Sequence, residues 1–129
     1  MSFNILICDD SVSMRKIIIK ALKMLNISGM KFFQANNGDE ALSLLNREWF
    51  DIIFTDINMP LMDGATFIKE TRKDSIYEQI PIIVITSDAR KSRAEELKKI
   101  NNIKIITKPF LPETVIKVFK NTLEIEDER

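Results

Sequence analysis

The sequence predicts an α/β fold, with a doubly wound, five-stranded parallel sheet covered by helices on both faces. Short apolar runs alternate with segments of helical periodicity along the whole chain, which is the pattern of repeated strand–helix units. The apolar residues of the run over 51–55 are consecutive, as expected of a strand covered on both sides. The chain has 129 residues, the size of one domain, so we expect a single domain over 1–124 and a short charged tail over 125–129.

The first strand–helix unit joins a strand over 4–8 to a helix over 12–25. Either Ser11 or Ser13 can cap the start of this helix, because both hydroxyls stand beside its first turn. The apolar residues expected on the buried side of the helix follow helical spacing: Met14, Ile18, Ala21, Leu22 and Leu25.

The second unit begins after a break at Gly29, with a short strand over 31–35. Asn37 and Glu40 have the spacing of a capping box, with Asn in place of Ser or Thr, and so indicate the start of the second helix. The apolar residues on the buried side of that helix are Ala41, Leu42, Leu44 and Leu45.

The remaining three units repeat the pattern. Asp63 can cap the third helix. Pro81 opens the fourth strand and Pro112 lies in the first turn of the fifth helix, two places where a missing N–H is tolerated. The strands are predicted over 51–55, 81–85 and 104–107, and the helices over 65–72, over 91–99 and from 112 onward.

Composition narrows the possible functions. Lys+Arg and Asp+Glu both number 19, so no net charge favours nucleic acid or an anionic membrane. The single cysteine, Cys8, excludes an internal disulfide, and the lack of histidine excludes a His-based triad or a His-ligated zinc site. The N-terminus lacks a signal-peptide pattern, and no apolar run approaches the roughly 20 residues needed to span a bilayer. We therefore expect a cytoplasmic protein.

Polar side chains stand where four of the predicted strands end. They are Asp9 and Asp10, Asp56, Thr86 and Ser87, and Lys108. The carboxyl ends of parallel strands meet at one edge of the sheet, and ligands of open α/β sheets bind outside that edge. The three carboxylates converge if the first and third strands are neighbours, which the order 2-1-3-4-5 achieves.

This group of side chains suits a divalent cation and a phosphoryl group. Close carboxylates repel one another unless a cation lies between them, and magnesium prefers oxygen ligands. Asp56 is the candidate nucleophile for an acyl phosphate, while Lys108 and Thr86 can neutralise and hydrogen-bond phosphoryl oxygens. The alternative is structural: Asp9 and Asp10 would cap the first helix, Asp56 would open a loop, and Thr86 and Lys108 would bind no ligand.

Four motifs in order carry a resemblance to a known family. They are Asp9-Asp10, the segment from Asp56 to Gly64, Thr86-Ser87 and Lys108-Pro109-Phe110. Together they resemble a response-regulator receiver domain, and the similarity covers about residues 3–123. The segment over 9–15 is similar to the chemotaxis branch of that family in particular.

The resemblance implies a flavodoxin-like (βα)5 fold in the order 2-1-3-4-5, which is the order of the family's chemotaxis regulators. It implies that Asp56 accepts phosphate from a histidine kinase and that Thr86 and Lys108 contact the phosphoryl group. Mg2+ would be bound by Asp10, Asp56 and the backbone carbonyl of Asn58, with Asp9 acting through water. The resemblance also implies a cis Lys108-Pro109 bond, and it places Asn58 and Asp88 where they tune the attacking water.

The output surface is expected on the fourth helix, fifth strand and fifth helix. Ile105 stands where many receivers carry Tyr or Phe, and we expect it to be an exposed apolar anchor in that surface. Asn101-Asn102 and Cys8 also depart from the usual pattern. Basic residues of the fourth helix favour an acidic partner, or else form a solvated face: Arg90, Lys91, Arg93, Lys98 and Lys99.

The function expected first is a phosphorylation-dependent signalling receiver of a two-component system, which switches its affinity for a protein partner. We expect it to be monomeric with no output domain attached, and the resemblance over 9–15 favours a role in chemotaxis. The alternatives are a phosphorylation-independent docking module or a phosphate sink. A multiple-turnover enzyme is not expected, because the chain has no Gly-rich phosphate loop and Asp56 is followed two residues on by Asn58 rather than by an acid.

Overall fold

The computed structural model of the protein describes residues 2–87 and 92–125. The predicted start of the fourth helix at Lys91, the tuning residue Asp88 and the tail over 126–129 lie outside these residues. The strands are β1 (Phe3–Cys8), β2 (Met30–Ala35), β3 (Ile52–Thr55), β4 (Ile82–Thr86) and β5 (Ile103–Thr107). The helices are α1 (Val12–Lys23), α2 (Gly38–Leu45), α3 (Gly64–Arg72), α4 (Ser92–Lys98) and α5 (Pro112–Leu123).

All five strands are parallel and lie in the order β2-β1-β3-β4-β5, so the predicted fold class is confirmed. Cys8, the last residue of β1, is opposite both Ala35 of β2 and Thr55 of β3. Thr86 at the end of β4 is opposite Thr107 of β5. The register therefore brings the residues that follow β1 and β3 to the same level of the sheet edge.

The sheet separates two layers of apolar side chains. On one face, Leu6, Ile53 and Val84 pack with residues of α2, α3 and α4. On the other face, Ile7, Phe54 and further strand residues pack with α1 and α5. Consecutive strand residues thus enter opposite cores, which explains why the apolar runs do not alternate with polar residues.

Side chains cap three helices as their residue types predict. Ser11 accepts from the Met14 N–H at 3.1 Å, and Asp63 accepts from the Thr66 N–H at 2.8 Å. Asn37 accepts from the N–H of Glu40 at 2.9 Å, but the Glu40 carboxylate binds the N–H of Asn36, one residue before its expected partner.

The first helix ends at Lys23, two residues before the predicted end at Leu25. The N–H groups of Leu25 and Asn26 bind carbonyls three residues back, and Asn26 then takes a left-handed backbone with φ 55°. Asn tolerates this conformation, so the apolar periodicity continues past the point where the helix stops. Among the described residues, no helix is both long and apolar enough to cross a membrane.

Candidate phosphoryl and metal site

Three carboxylates meet at the carboxyl edge of the sheet. Asp9 and Asp10 follow β1, Asp56 follows β3, and the Asp56 N–H binds the carbonyl of Cys8 at 3.0 Å. One carboxylate oxygen from each of the three residues lies within 4.8 Å of the others. The convergence expected from neighbouring first and third strands is therefore present.

The three carboxylates differ in their surroundings. Asp9 is buried, Asp56 is partly buried and Asp10 is exposed. Asp9 accepts the N–H of Ser11 at 2.9 Å, and Asp56 accepts the N–H of Ile57 at 2.7 Å. Burial raises the pKa of the Asp9 carboxyl, and the charges of Asp56 and Asp10 add to that rise, while the Ser11 N–H and Lys108 oppose it.

Lys108 is directed into the acidic group rather than into solvent. Its Nζ lies 3.2 Å from Asp56 Oδ2 and 3.7 Å from Asp9 Oδ2. Its backbone N–H binds the carbonyl of Thr86 at 2.7 Å, and the Lys108-Pro109 bond is cis, as expected. The ammonium therefore offsets part of the repulsion between the carboxylates.

The other predicted site residues lie around this group. Thr86 is buried at the end of β4, the strand beside β3, and exposed Asn58 lies in the loop after Asp56. Ser87 and Lys108 are among the residues that line a groove of about 390 Å3. The apolar side chains that complete the groove are Met14, Ile17, Pro109 and Phe110.

The loop after Asp56 returns closely against the end of β3. The N–H of Gly64 binds the carbonyl of Ile57 at 2.7 Å, and a Cβ atom at Gly64 would lie 1.9 Å from the Asp56 carbonyl oxygen. Only glycine fits there without movement of the backbone. Sequence reasoning treated Gly64 as part of a loop motif, although its place directly after the capping Asp63 was a signal of a close turn.

Arg15 is a residue near the site that sequence reasoning missed. It lies on the buried side of α1 and is only 8% exposed. Its Nη1 donates to the carbonyl of Asp9 at 2.5 Å. The spacing of Arg15, Ile18 and Leu22 was the available signal, because residues three and seven positions apart share a helix face.

The donor set fits a hard divalent cation. All three side chains offer carboxylate oxygens, which Mg2+ prefers, and the exposure of Asp10 leaves the group open to solvent. Cys8, whose thiol would suit softer metals, is buried beside Met59 with a sulfur–sulfur distance of 3.5 Å. Burial raises the pKa of the Cys8 thiol to about 12, so the thiolate is not available near neutral pH.

The predicted output surface differs from expectation at its centre. Ile105 is partly buried and packs against the core that contains Ala94 and Leu97 of α4, so it is not a freely exposed anchor. Lys98 forms an ion pair with Glu95 at 3.2 Å. Arg90 and Lys91 lie outside the described residues, as does the side chain of Arg93, so the basic character of this face stays a prediction.

This chain belongs to the response regulator receiver domain family, whose model matches residues 5–120. Receiver domains act in two-component signalling and are not classical enzymes. Chemotaxis protein CheY1 of Helicobacter pylori (strain ATCC 700392 / 26695) is 35% identical over 95% of this chain and 94% of its own length. The sensor histidine kinase CheAY of the same strain is also 35% identical, over 98% of this chain but only 16% of that kinase.

Solved structures give the same result for the fold. Chemotaxis response regulator CheY4 of Vibrio cholerae superposes with a TM-score of 0.83 at 32% identity, over 95% of this chain and all of that one. The receiver domain of sensor histidine kinase PA1611 from Pseudomonas aeruginosa PAO1 has the same TM-score at 23% identity, over 96% of this chain and 99% of that one. In that protein a magnesium ion is coordinated in the active site cleft.

Proposed function

We propose that Asp56 accepts a phosphoryl group from the phosphohistidine of a histidine kinase. The observation that carries the proposal is the placement of Lys108 Nζ 3.2 Å from Asp56 Oδ2. In the transfer, a carboxylate oxygen of Asp56 forms the new P–O bond as the P–N bond to the donor imidazole breaks. The Ile57 N–H and the Lys108 ammonium orient the carboxylate, so the groups around Asp56 supply position and charge.

We propose Mg2+ as the cofactor, held by Asp10, Asp56 and the backbone carbonyl of Asn58, with Asp9 acting through water. The support is the set of three carboxylates with oxygens within 4.8 Å. When bound, the ion neutralises charge on the carboxylates and on the phosphoryl oxygens. Asp9, whose carboxylate accepts the Ser11 N–H, would contribute through a water rather than by direct contact.

Thr86 and Lys108 are proposed to sense the phosphoryl group by binding its oxygens. Lys108 already joins the two strand ends through its N–H to the Thr86 carbonyl. β4 and β5 are paired along their length, and Ile105 of β5 contacts the core that includes α4 residues. A shift of Thr86 toward phosphate would therefore be passed to the surface formed by α4, β5 and α5, where we propose a protein partner binds.

The test is incubation with acetyl phosphate and Mg2+, followed by intact mass measurement. The wild-type protein should gain one phosphoryl group, and Asp56→Asn should gain none. A gain in Asp56→Asn, or no gain in the wild type with Mg2+ present, would refute the assignment. EDTA in place of Mg2+ should suppress the reaction in the wild type.

Partner switching needs a separate measurement. The partner captured by beryllofluoride-loaded protein should bind that form more tightly than the untreated form. Equal affinities would instead favour a phosphorylation-independent docking module, and efficient phosphorylation with no partner in either form would favour a phosphate sink. A role in chemotaxis, a monomeric state and a cytoplasmic location stay predictions.

A further inference from the structure

Arg15 is a buried cation that binds three uncharged oxygens from three separate segments. Its Nη1 donates to the Asp9 carbonyl at 2.5 Å and to Asn36 Oδ1 at 2.8 Å, and its Nε donates to Gln34 Oε1 at 2.9 Å. Burying a guanidinium is costly unless its N–H groups are hydrogen-bonded. The three acceptors offset part of that cost, and together they hold the guanidinium in one position. Arg15 thus joins the end of β1, the end of β2 and the loop that leads to α2.

The acceptor on Asp9 matters because of its place in the backbone. The Asp9 carbonyl belongs to the peptide that links Asp9 to Asp10, and a peptide is planar. A hydrogen bond to that oxygen restrains ψ of Asp9 and φ of Asp10, the two backbone angles between the residues that carry the carboxylates. Two contacts restrain this stretch of chain: Arg15 donates to the Asp9 carbonyl oxygen, and the Ser11 N–H donates to the Asp9 carboxylate.

A second layer of hydrogen bonds supports Arg15. The Glu40 carboxylate accepts both the N–H and the side-chain Nδ2–H of Asn36, at 2.7 and 3.1 Å. These bonds turn the Asn36 amide so that Oδ1 faces the guanidinium. The start of α2 is in this way connected through Asn36 and Arg15 to the peptide between Asp9 and Asp10.

We propose that Arg15 is a positioning residue for the divalent cation: it orients the Asp9–Asp10 peptide and so sets the affinity of the carboxylates without touching the ion. The inference rests on the proposed function of the acidic group. It predicts that loss of the guanidinium fork weakens metal binding about 10-fold or more, the range typical of groups that orient metal ligands. Saturating Mg2+ should then restore phosphorylation of Asp56, because Arg15 does not contact the phosphoryl group.

The experiment compares Arg15→Lys with Arg72→Lys. Arg72 is a matched control, since its guanidinium also binds backbone carbonyls, at 2.8 Å to Tyr77 and Ile80, but at the opposite edge of the sheet. The Mg2+ dissociation constant is measured by calorimetry and the free energy of unfolding by urea titration in EDTA. Trp49 precedes β3 and lies away from the acidic edge, so its fluorescence can report unfolding.

The expected result is an Mg2+ dissociation constant raised about 10-fold in Arg15→Lys and changed less than about twofold in Arg72→Lys, although both lose stability. Asn36→Ala removes one acceptor of Arg15 at an exposed position and should also raise the Mg2+ dissociation constant, by less than about 10-fold. It serves as the test variant if Arg15→Lys does not fold. Equal constants for wild type, Asn36→Ala and any folded Arg15 variant would overturn the inference. Failure of the wild type itself to bind Mg2+ would instead refute the proposed function.

Discussion

Replacing Asp9 by asparagine should stabilise the metal-free protein by about 1–2 kcal/mol. An Asp9 oxygen lies within 4.8 Å of oxygens on Asp10 and Asp56, and at an effective dielectric constant of about 20 each repulsion amounts to at least about 3.5 kcal/mol. The attraction between Asp9 and Lys108 Nζ, 3.7 Å away, offsets about 4–5 kcal/mol of this repulsion at the same dielectric constant. Solvent around exposed Asp10 reduces one repulsion, but the cost of burying the Asp9 charge adds to the remainder.

The asparagine variant keeps most of the native contacts at this position. Its Oδ1 can still accept the Ser11 N–H, and the change removes charge with little change in volume. The loss of a charge near the proposed metal site should also weaken Mg2+ binding. An Mg2+ concentration 100 times the wild-type dissociation constant stabilises the wild type by roughly 2.7 kcal/mol, and the variant should lose much of that stabilisation.

The assay is urea unfolding followed by circular dichroism, in EDTA and in Mg2+. Glu48→Gln is the control, because Glu48 is exposed and its loss changes the net charge equally. In EDTA we expect the free energy of unfolding of Asp9→Asn to exceed that of the wild type, and that of Glu48→Gln to equal it. An Asp9→Asn protein less stable than wild type in EDTA would mean that the Lys108 attraction outweighs burial and repulsion.

The same reasoning gives the pH dependence. The pKa of Asp9 is raised in the folded protein above its usual 3.8, so the folded state binds more protons than the unfolded state just above that pH. The contribution of Asp9 to stability is therefore largest below its unfolded pKa and is lost as the pH rises through the folded pKa. The stability of Asp9→Asn should fall less over that window in EDTA, and parallel curves for the two proteins would contradict the assignment.

Three further variants test the surroundings of the site. Lys108→Ala removes the ammonium beside Asp56 and should slow phosphorylation by acetyl phosphate about 100-fold, as measured by intact mass against time; an unchanged rate would exclude Lys108 from the transfer. Gly64→Ala should lower the free energy of unfolding by about 3 kcal/mol or more, because its Cβ would lie 1.9 Å from the Asp56 carbonyl oxygen; a loss under about 1 kcal/mol in urea would show that the loop yields easily. Leu61→Asn should stabilise by about 1 kcal/mol, because Leu61 has φ 66° and is 87% exposed; a lower melting temperature would reveal a contact that offsets the backbone strain.

Much of the fold could be predicted because its signals lie along the chain. The apolar runs gave the five strands, and the polar residues after them gave the edge at which Asp9, Asp10 and Asp56 meet. The helix end at Lys23 was harder, since apolar periodicity continues to Leu25 after hydrogen bonding has changed.

The features that could not be predicted depend on contacts between distant segments. The burial of Ile105 depends on how α4 packs over β5. The spacing of apolar residues within either element does not reveal that packing. The same holds for Asp9 and Asp10, which are neighbours in sequence with similar chemistry but differ widely in exposure. Only the assembled sheet edge decides which of the two is covered.

Two cations lie beside the acidic group, and their binding partners indicate different roles. Lys108 contacts the carboxylates directly, and the same ammonium is the one proposed to bind phosphate, so its contacts with Asp56 and Asp9 must change when phosphate arrives. Arg15 binds only uncharged oxygens and is fixed by Asn36 and Gln34, so phosphorylation offers it no new partner. We therefore expect Lys108 to respond to a phosphoryl group, whereas Arg15 is expected to keep the same partners before and after transfer.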